Sequence, residues 1–255
     1  MGRRSASIAD PSRWVFNRLA GDYPQRPPYP GPLVERLAAA AGGPGARVVD
    51  LGAGTGHLAL PLAARGLRVT AVEPARAMLD ALAAAAARAA LPVEPVHAPA
   101  EETGLPAGAF DLALVADALH WLDPERAGRE IGRLLAPGGA VAVVEAAPAA
   151  TPFMDELMAL VAAANPRRPP PPGDRLRQLL SLAGARAGPA ERFAAEEPLD
   201  GPRLEALLRS HSHVGPALGP VALEALLAQA RTLAARHGGA RWARRLTLTL
   251  ARRRA

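Results

Sequence analysis

The stretch VVDLGAGTGHL, from Val48 to Leu58, joins an apolar run that ends in a carboxylate to a turn with three alternating glycines. A near-continuous apolar run is typical of a strand that is buried on both faces of a parallel sheet. Ligands of such sheets bind at the carboxyl ends of the strands, where this turn falls. Gly52, Gly54 and Gly56 let the backbone bend tightly and approach a bound molecule without an intervening Cβ. The stretch therefore predicts a ligand-binding turn after a central strand.

A second acidic residue, Glu73, follows the next strand-like run, Leu67 to Val72. A carboxylate about 20 residues beyond a glycine turn accepts hydrogen bonds from ribose hydroxyls, which indicates a ligand that contains adenosine. The same spacing occurs in dinucleotide-binding proteins. The G-x-G-x-x-G pattern of those proteins is not met, because the turn and the residues after it read G-A-G-T-G-H-L, with Leu58 two residues after Gly56.

Strand-like and helix-like stretches alternate five times along the first part of the chain, which is typical of a doubly wound parallel sheet. The predicted strands are 47–51, 68–72, 93–97, 110–116 and 140–145, and the predicted helices between them are 57–65, 75–90 and 124–135. Pro61 lies in the first of these helices, and we expect it within the first turn, because an interior proline costs about 3 kcal/mol.

After Glu145 the alternation stops, and residues 151–189 read as helix, linker and helix, with the polyproline run 167–173 as a stiff spacer. Helices are predicted at 204–210 and 221–236. The final stretch RLTLTLAR alternates Leu246, Leu248 and Leu250, as an edge or near-edge strand does. No internal repeat is present.

In these motifs the chain resembles the class I S-adenosylmethionine-dependent methyltransferases that act on small molecules. The resemblance extends over Arg47 to Glu145 and includes APAEETGLPAGAFDLALVADALHWLD (98–123) and RLLAPGGAVAVVE (133–145), in the family's order. It implies a Rossmann-like α/β fold: a doubly wound, seven-stranded sheet, mostly parallel with a reversed last strand, and a helical substrate cover. The implied units are an arm or lid at 1–32, the cofactor-binding core at 33–150, a cover with one strand at 151–219, and the last helix and strand at 220–255.

The resemblance also implies which residues bind S-adenosyl-L-methionine and its product S-adenosyl-L-homocysteine. The turn holds the methionine part and Glu73 holds the ribose, while the loop at Ala100 and Glu101 meets the adenine. Pro99 stands where the family often has an aspartate, so Glu101 or the backbone near Ala100 would take over that contact. Met78 either packs on the adenine ring or belongs to the ordinary core. The expected cofactor-binding residues are Asp50, Gly52, Ala53, Gly54, Gly56, Glu73, Pro74, Met78, Ala100, Glu101, Asp117 and Arg26.

The arm contains Phe16, Tyr23, Arg26 and Tyr29 in a pattern that resembles an element preceding the cofactor domain in small-molecule members of the family. Such an element would act as a lid. Arg26 either pairs with the methionine carboxylate or is a surface charge. Tyr23 and Tyr29 are expected to face the substrate, or else to pack.

After the fourth strand, His120 and Trp121 form the candidate catalytic and substrate-binding pair. A neutral imidazole at His120 can accept a proton from the acceptor near pH 7. The alternative is that both residues only pack the start of a helix. The tetrad after this strand is Asp117 to His120 rather than N-P-P-Y, which disfavours methylation of nucleobase amino groups.

Composition excludes several classes of protein. The chain has no cysteine, so disulfides, thiolate metal sites and cysteine nucleophiles are excluded. We assign no metal site, because His211 and His213 have no third ligand at a recognisable spacing. At 255 residues and 49% hydrophobic content, the chain can build a sizeable core.

Arginine supplies all 30 basic residues, and none of the acidic residues follows Glu224. A GC-rich genome explains the arginine usage, yet the carboxyl end carries a positive field. Nucleic acid is therefore considered as a partner but not favoured, since Trp242 is the one stacking aromatic among these arginines.

The sequence predicts transfer of a methyl group to a small-molecule acceptor by direct displacement. The alternatives are an RNA or protein methyltransferase that uses the arginine-rich end, a non-catalytic S-adenosylmethionine-binding scaffold and, last, a nicotinamide-dependent reductase. The first ten residues lack the apolar core of a signal peptide, and no apolar run is long enough to span a bilayer, so we expect a cytoplasmic protein without a membrane partner. The sequence predicts no oligomeric state and does not identify the acceptor.

Overall fold

The fold is built on one mixed sheet, described by a computed structural model that covers residues 15–165 and 174–253. Its strands follow the order β3-β2-β1-β4-β5-β8-β6, with β7 also paired to β8. Their bounds are β1 Arg47–Leu51, β2 Arg68–Val72, β3 Val93–Val96, β4 Phe110–Ala116, β5 Leu135–Pro148, β6 Ala185–Ala187, β7 Glu191–Leu199 and β8 Ala240–Arg253.

The sheet is parallel from β3 to β5, and β8 runs antiparallel to β5. The predicted α/β class, the mostly parallel doubly wound sheet and the reversed last strand are therefore confirmed. The strand count is eight rather than seven. The difference arises because the segment before the last helices contributes two strands, β6 and β7, which pair with opposite ends of the long strand β8.

Nine α-helices within the described residues surround this sheet. Their bounds are α1 Val15–Leu19, α2 Gly31–Ala41, α3 Ala59–Ala63, α4 Arg76–Arg88, α5 Pro124–Leu134, α6 Pro152–Ala164, α7 Arg175–Leu182, α8 Gly201–Ser210 and α9 Pro220–Arg236. Short 3-10 helices occur at Tyr23–Gln25 and Leu119–Trp121. None of the described helices combines the length and the apolar character needed to cross a membrane.

The central strands are apolar because both of their faces are covered. In β1, Val48 packs in the core on the side of α2 and α3, while Val49 and Leu51 pack in the core on the side of α5 and α7. This alternation is the period of two that a strand imposes. Pro61 is the third residue of α3, in the first turn as expected, where a missing N–H costs the helix nothing.

A third apolar core lies beyond the sheet and joins α6, α8 and α9 to the first residues of β8. It contains Met154, Leu157, Leu204, Leu227 and Trp242, all buried. The polyproline spacer at 167–173 lies outside the described residues, as do residues 1–14 of the predicted arm and Arg254.

The carboxyl ends of four neighbouring strands meet at one edge of the sheet and position the candidate site. The glycine turn follows β1, Glu73 follows β2, Asp117 follows β4, and Ala146 to Pro148 form the end of β5. The chain order predicted this convergence, since parallel strands share an orientation.

The close packing of α5 on α7 generates a prediction at Gly128. A Cβ at this position would lie 2.6 Å from the backbone oxygen of Leu179 and 2.9 Å from the Cβ of Leu182. We expect Gly128→Ala to lower the free energy of unfolding by about 1 to 2 kcal/mol, because steric strain between the helices outweighs the gain in helix propensity. Urea denaturation measures the change. Gly31→Ala is the control, since a Cβ there meets nothing within 4 Å and Gly31 begins α2. Equal stability of both variants would contradict the described packing of α7.

Candidate functional site

A cavity of about 680 Å³ opens at the carboxyl edge of the sheet. This volume lies within the range of about 300 to 1,000 Å³ that is usual for small-molecule and cofactor sites. Its walls come from the turn after β1, the residues after β2 and β4, the arm, α6, and the segment that follows α8. The predicted site residues that line it are Tyr23, Arg26, Gly52, Gly54, Glu73, Pro74, Met78, Ala100, Asp117, His120 and Trp121.

The turn after β1 requires glycine because of both backbone conformation and space. Gly52 has φ +77°, and a Cβ there would lie 2.9 Å from the Cβ of Ala118. Gly54 has φ +56°, and its missing side chain faces the ring of Tyr23 at 3.4 Å. Both conformations are ones that residues with a Cβ rarely adopt. The turn thus presents bare backbone to the cavity.

Glu73 fixes this turn from the neighbouring strand. Its Oε2 accepts a hydrogen bond from Gly54 N at 2.9 Å, and its Oε1 accepts one from Ala75 N at 2.8 Å. The side chain is buried, yet it lines the cavity. Each carboxylate oxygen has two lone pairs and can accept two hydrogen bonds.

Asp50 lies beneath the turn and is buried. Burial, together with the nearby charge of Glu73, raises its pKa to about 7, and a backbone hydrogen bond from Ala59 partly opposes this shift. Asp50 lines a smaller space of about 60 Å³ beside the main cavity, where Ala53 also lies. Gly56, by contrast, lies against Leu60 and Leu82 and lines neither space.

Asp117 ties three segments together at the end of β4. Its Oδ2 accepts a hydrogen bond from Tyr29 Oη at 2.7 Å, and its Oδ1 accepts one from Ala146 N at 2.7 Å. Asp117 has φ +50°, an uncommon conformation for a residue with a Cβ and one that aspartate tolerates. Burial and the adjacent Asp117 hold the pKa of Tyr29 well above its usual value, so Tyr29 is a neutral donor. Tyr29 lines the smaller space rather than the main cavity.

The arm is anchored across the cavity by Arg26. Its Nε donates to Ser210 Oγ at 2.9 Å, its Nη2 to the backbone oxygen of Ser210 at 2.8 Å, and its Nη1 to Tyr23 Oη at 3.2 Å. The guanidinium also lies over the Tyr23 ring, 4.1 Å from its centroid. Arg26 therefore links the arm to the end of α8, a role that the sequence analysis did not consider.

His120 and Trp121 lie in the 3-10 helix after β4 and face the cavity. Their ring centroids are 5.1 Å apart, and Trp121 also meets Phe16 of the arm edge to face at 5.1 Å. Burial lowers the pKa of His120, an effect that the charge of Asp117 opposes and those of Arg175 and Arg26 reinforce. The imidazole is accordingly neutral near pH 7 and able to accept a proton.

At the other end of the cavity, Met78 is buried against Leu19 and Ala75, and it also forms part of the wall. The backbone at Ala100 lines the cavity, whereas Glu101 does not. Glu101 Oε1 instead accepts a hydrogen bond from Asp123 N at 2.9 Å, at the start of α5. Of the two adenine contacts expected here, the structure brings only Ala100 to the cavity wall.

The far wall of the cavity consists of residues that sequence reasoning did not assign. The apolar ones come from α6, α8 and the following segment, and His211, Trp242 and Arg244 lie among them. His211 Nδ1 donates to the Leu207 backbone oxygen at 2.7 Å, and burial lowers its pKa to about 3, so its Nε2 is an acceptor. The sequence contained one signal for this wall, namely the histidines of SHSHV at the end of a helix together with Trp242 in the last strand.

Histidines elsewhere have structural partners. His57 Nε2 donates to the backbone oxygen of Arg26 at 3.2 Å, and its Nδ1 accepts from Thr55 Oγ1 at 3.2 Å. It therefore holds the turn to the arm. In the part of the chain that the structure describes, no group of three or more histidine, aspartate or glutamate side chains could hold a metal ion.

Several arginines of the basic carboxyl end form ion pairs. Arg231 pairs with Glu205 and Glu224, Arg236 with Glu156, and Arg241 with Glu196. Arg244 points inward to the cavity. The positive field that the sequence indicates is thus partly neutralised.

Comparison with known proteins identifies the central part of the chain. Residues 49–143 match the family model described as a methyltransferase domain. An uncharacterized methyltransferase of Mycobacterium tuberculosis is 45% identical over 131 residues, which are 51% of this chain and 51% of that protein. The chain thus spans about half the length of this relative.

Solved structures share the fold over nearly the whole chain. A putative type II methyltransferase from Anaeromyxobacter dehalogenans has a TM-score of 0.62 at 24% identity, covering 90% of this chain and 97% of that one. A phosphoethanolamine N-methyltransferase of Haemonchus contortus, in complex with S-adenosyl-L-methionine, has a TM-score of 0.56 at 16% identity. It covers 100% of this chain and 61% of that one. At these identities the likeness shows the fold.

The raised pKa of Asp50 generates a prediction about pH dependence. The folded state binds the Asp50 proton more tightly than the unfolded state, whose pKa is near 3.8. Stability contributed by this group is therefore present below pH 4 and is lost as the pH rises through about 7. We expect the free energy of unfolding of the wild type, relative to Asp50→Asn, to fall by about 2 to 4 kcal/mol between pH 4 and 7.

Denaturant titrations at several pH values measure this difference. Asp111→Asn is the control of opposite sign, because the hydrogen bond from Arg47 lowers the pKa of Asp111. Its stabilising contribution is present above the unfolded pKa and is lost as the pH falls. A pH-independent difference between the wild type and Asp50→Asn would contradict the buried, proton-binding environment of Asp50.

Proposed function

We propose that this chain, whose residues 49–143 match a methyltransferase domain, is a class I S-adenosylmethionine-dependent methyltransferase that transfers a methyl group to a small-molecule acceptor. The observation that carries the proposal is the cavity itself. It runs without interruption from Glu73 and the bare backbone of Gly54 to the apolar wall formed by α6 and α8. One space therefore serves both a cofactor end and an acceptor end.

The residues present fit S-adenosyl-L-methionine. The turn at Gly52 and Gly54 is a cradle that a Cβ would fill. Glu73 brings a carboxylate, which accepts hydrogen bonds from hydroxyls such as those of ribose, to the cavity wall, and Met78 and Ala100 line the space beyond it, as an adenine ring requires. Asp50 lies beside the turn, where the amino group of the methionine part would lie. Pro74 completes this wall.

The protein's contribution to methyl transfer is alignment and the exclusion of water. When bound, the cofactor supplies an electrophilic methyl group, which an acceptor atom attacks in line with the departing sulfur. Alignment of this kind is worth up to about 7 to 11 kcal/mol. Tyr23 and Phe16 of the arm, together with Trp121, close the cavity from one side. The proposed cover, α6 and the segment after α8, closes it from the other side.

His120 is the proposed general base. Its neutral imidazole lies on the wall between the turn and the cover, where it can take the proton that the acceptor loses. Trp121 holds it through their ring contact. Tyr23 and Tyr29 are proposed to shape the substrate end, Tyr29 through Asp117 rather than by direct contact.

An acceptor of small size is favoured over RNA or protein, because both the arm and the cover enclose the cavity and the carboxyl-terminal arginines form ion pairs. A radioactive methyl label tests this. The protein is incubated with labelled S-adenosyl-L-methionine and a cell extract that ultrafiltration has divided into small molecules and macromolecules. The proposal expects label in the filtrate. Label in the retained fraction would support the RNA or protein alternative, and absence of transfer would support the scaffold. The cytoplasmic location stays a prediction of the sequence.

The role of Glu73 generates a prediction about cofactor affinity. Glu73→Gln keeps the shape of the side chain but removes its charge and one acceptor, so S-adenosyl-L-homocysteine should bind about 10- to 100-fold more weakly. Isothermal titration measures the affinity. Glu94→Gln on the neighbouring strand β3 is the control, because Glu94 is exposed and lies outside the cavity. Equal affinity in both variants would show that Glu73 does not hold the ribose.

The role of His120 generates a prediction about turnover. We expect His120→Gln to lower the rate of label transfer by about 10²- to 10⁴-fold, the range for loss of a general base, while the affinity for S-adenosyl-L-homocysteine stays the same. His237→Gln is the control, since His237 pairs with Glu156 away from the cavity. A turnover equal to that of the wild type would assign His120 to packing.

A further inference from the structure

Two arginines of the described residues line the cavity, and they differ in how they are used. Every nitrogen of the Arg26 guanidinium has a partner, in Ser210 or Tyr23. Three of its five N–H donors are used in these contacts, which hold the arm to α8.

Arg244 is incompletely used. Its Nη2 donates to the Pro28 backbone oxygen at 2.6 Å, and its Cζ lies 6.0 Å from the centroid of the Tyr29 ring. Its Nε is buried and has no hydrogen-bond partner among the residues that the structure describes. A buried donor without a partner is destabilising, so such groups in native proteins call for an explanation.

The charge of Arg244 is also incompletely compensated. Burial lowers its pKa, and the negative charges that oppose this shift belong to Tyr29 when ionised, Asp117 and Glu197. Asp117 already accepts hydrogen bonds from Tyr29 and Ala146, and Glu197 forms an ion pair with Arg203. The guanidinium is thus a partly buried cation with spare donors beside a cavity.

Strand order places Arg244 on the acceptor side of that cavity. Glu73 follows β2, Arg244 lies on β8, and the strands β1, β4 and β5 separate them. At a spacing of about 4.8 Å between strands, the two backbones are about 19 Å apart. Arg244 is therefore distant from the proposed ribose site, and it lines both the main cavity with its apolar far wall and the smaller space beside the glycine turn.

The composition of the far wall indicates what kind of ligand supplies the negative charge that compensates Arg244. Its apolar side chains are Met158, Val161, Leu207, Leu208, Val214 and Trp242. Only one carboxylate, Asp117, lines the same end of the cavity among the described residues. The Arg244 guanidinium lies beside one carboxylate and a broad apolar surface. This end of the cavity therefore suits a monoanion with an apolar body better than a dianion such as a phosphate.

We propose that the acceptor is an organic monocarboxylic acid, that its carboxylate pairs with the Arg244 guanidinium, and that its apolar body lies against the far wall. The inference rests on the proposed function, because it names the substrate class of that site. An arginine is suited to this role, since its planar fork binds a carboxylate through two parallel hydrogen bonds. His211 Nε2 lies on the same wall and accepts a hydrogen bond from a hydroxyl or amino group of the acceptor.

Matched acids and amides test the proposal. Benzoate, 3-phenylpropanoate and octanoate, each with its primary amide, are titrated into the wild type saturated with S-adenosyl-L-homocysteine. At least one acid should bind about 10- to 100-fold more tightly than its amide, the range for a charge-assisted pair. In Arg244→Gln this preference should disappear. Arg245→Gln should keep it, because Arg245 is the exposed neighbour on β8 and lies outside the cavity.

Three results would overturn the proposal. The first is that the wild type prefers no acid of the panel over its amide, a result that needs no variant to fold. The second is that an acid is preferred and that this preference persists in Arg244→Gln. The third is that Arg244→Gln weakens binding of S-adenosyl-L-homocysteine but not of 5′-methylthioadenosine, which lacks the amino-acid part; Arg244 would then hold the carboxylate of the cofactor instead. The unfolding transition of each variant verifies that it is folded.

The same titrations separate this inference from the proposed function. If S-adenosyl-L-homocysteine does not bind the wild type, the proposed function fails. If it binds the wild type and Arg244→Gln equally and no acid is preferred, only the assignment of the acceptor fails.

Discussion

The buried carboxylate of Glu73 is the contact on which the rest of the site depends. By accepting hydrogen bonds from Gly54 N and Ala75 N, it ties the turn after β1 to the start of α4. The turn consequently holds positive φ angles at Gly52 and Gly54 and leaves its backbone open to the cavity. The nearby charge of Glu73 also contributes to the raised pKa of Asp50. Glu73 thus affects both the geometry of the turn and the electrostatics beneath it.

Around this fixed turn, the remaining walls come from segments that are far apart in the chain. Arg26 of the arm reaches Ser210 at the end of α8, and Tyr29 reaches Asp117 at the end of β4. The first contact joins the arm to α8, and the second joins the arm to the sheet. The cavity is largely apolar, with Glu73 near one end and Arg244 near the other. Such a distribution of charge orients a ligand that carries one polar group at each end.

The sheet and its turn could be predicted from the sequence because their signals are local. The apolar run before Asp50, the three glycines and the acid after the second strand each depend on neighbours within a few residues. The alternation of Leu246 and Leu248 predicted the last strand, and the family resemblance implied that this strand is reversed. The far wall could not be predicted, because His211, Trp242 and Arg244 meet only through the packing of α8 on α9 and on β8. Glu101 shows a second limit of prediction from sequence. Its position suited the adenine loop, but its side chain accepts a hydrogen bond from Asp123 N. Orientation of a side chain depends on its tertiary neighbours, which a motif does not specify.

The central claim is that the turn and Glu73 hold the adenosine of S-adenosylmethionine, with its methyl group directed toward the wall formed by His120 and the cover. A crystal structure of the protein with bound S-adenosyl-L-homocysteine tests this most directly. The account predicts that both ribose hydroxyls lie within hydrogen-bonding distance of the Glu73 carboxylate, and that the sulfur faces the unfilled space between His120 and Arg244. A cavity that stays empty in the presence of this compound, or one that binds a nicotinamide dinucleotide in its place, would contradict the account.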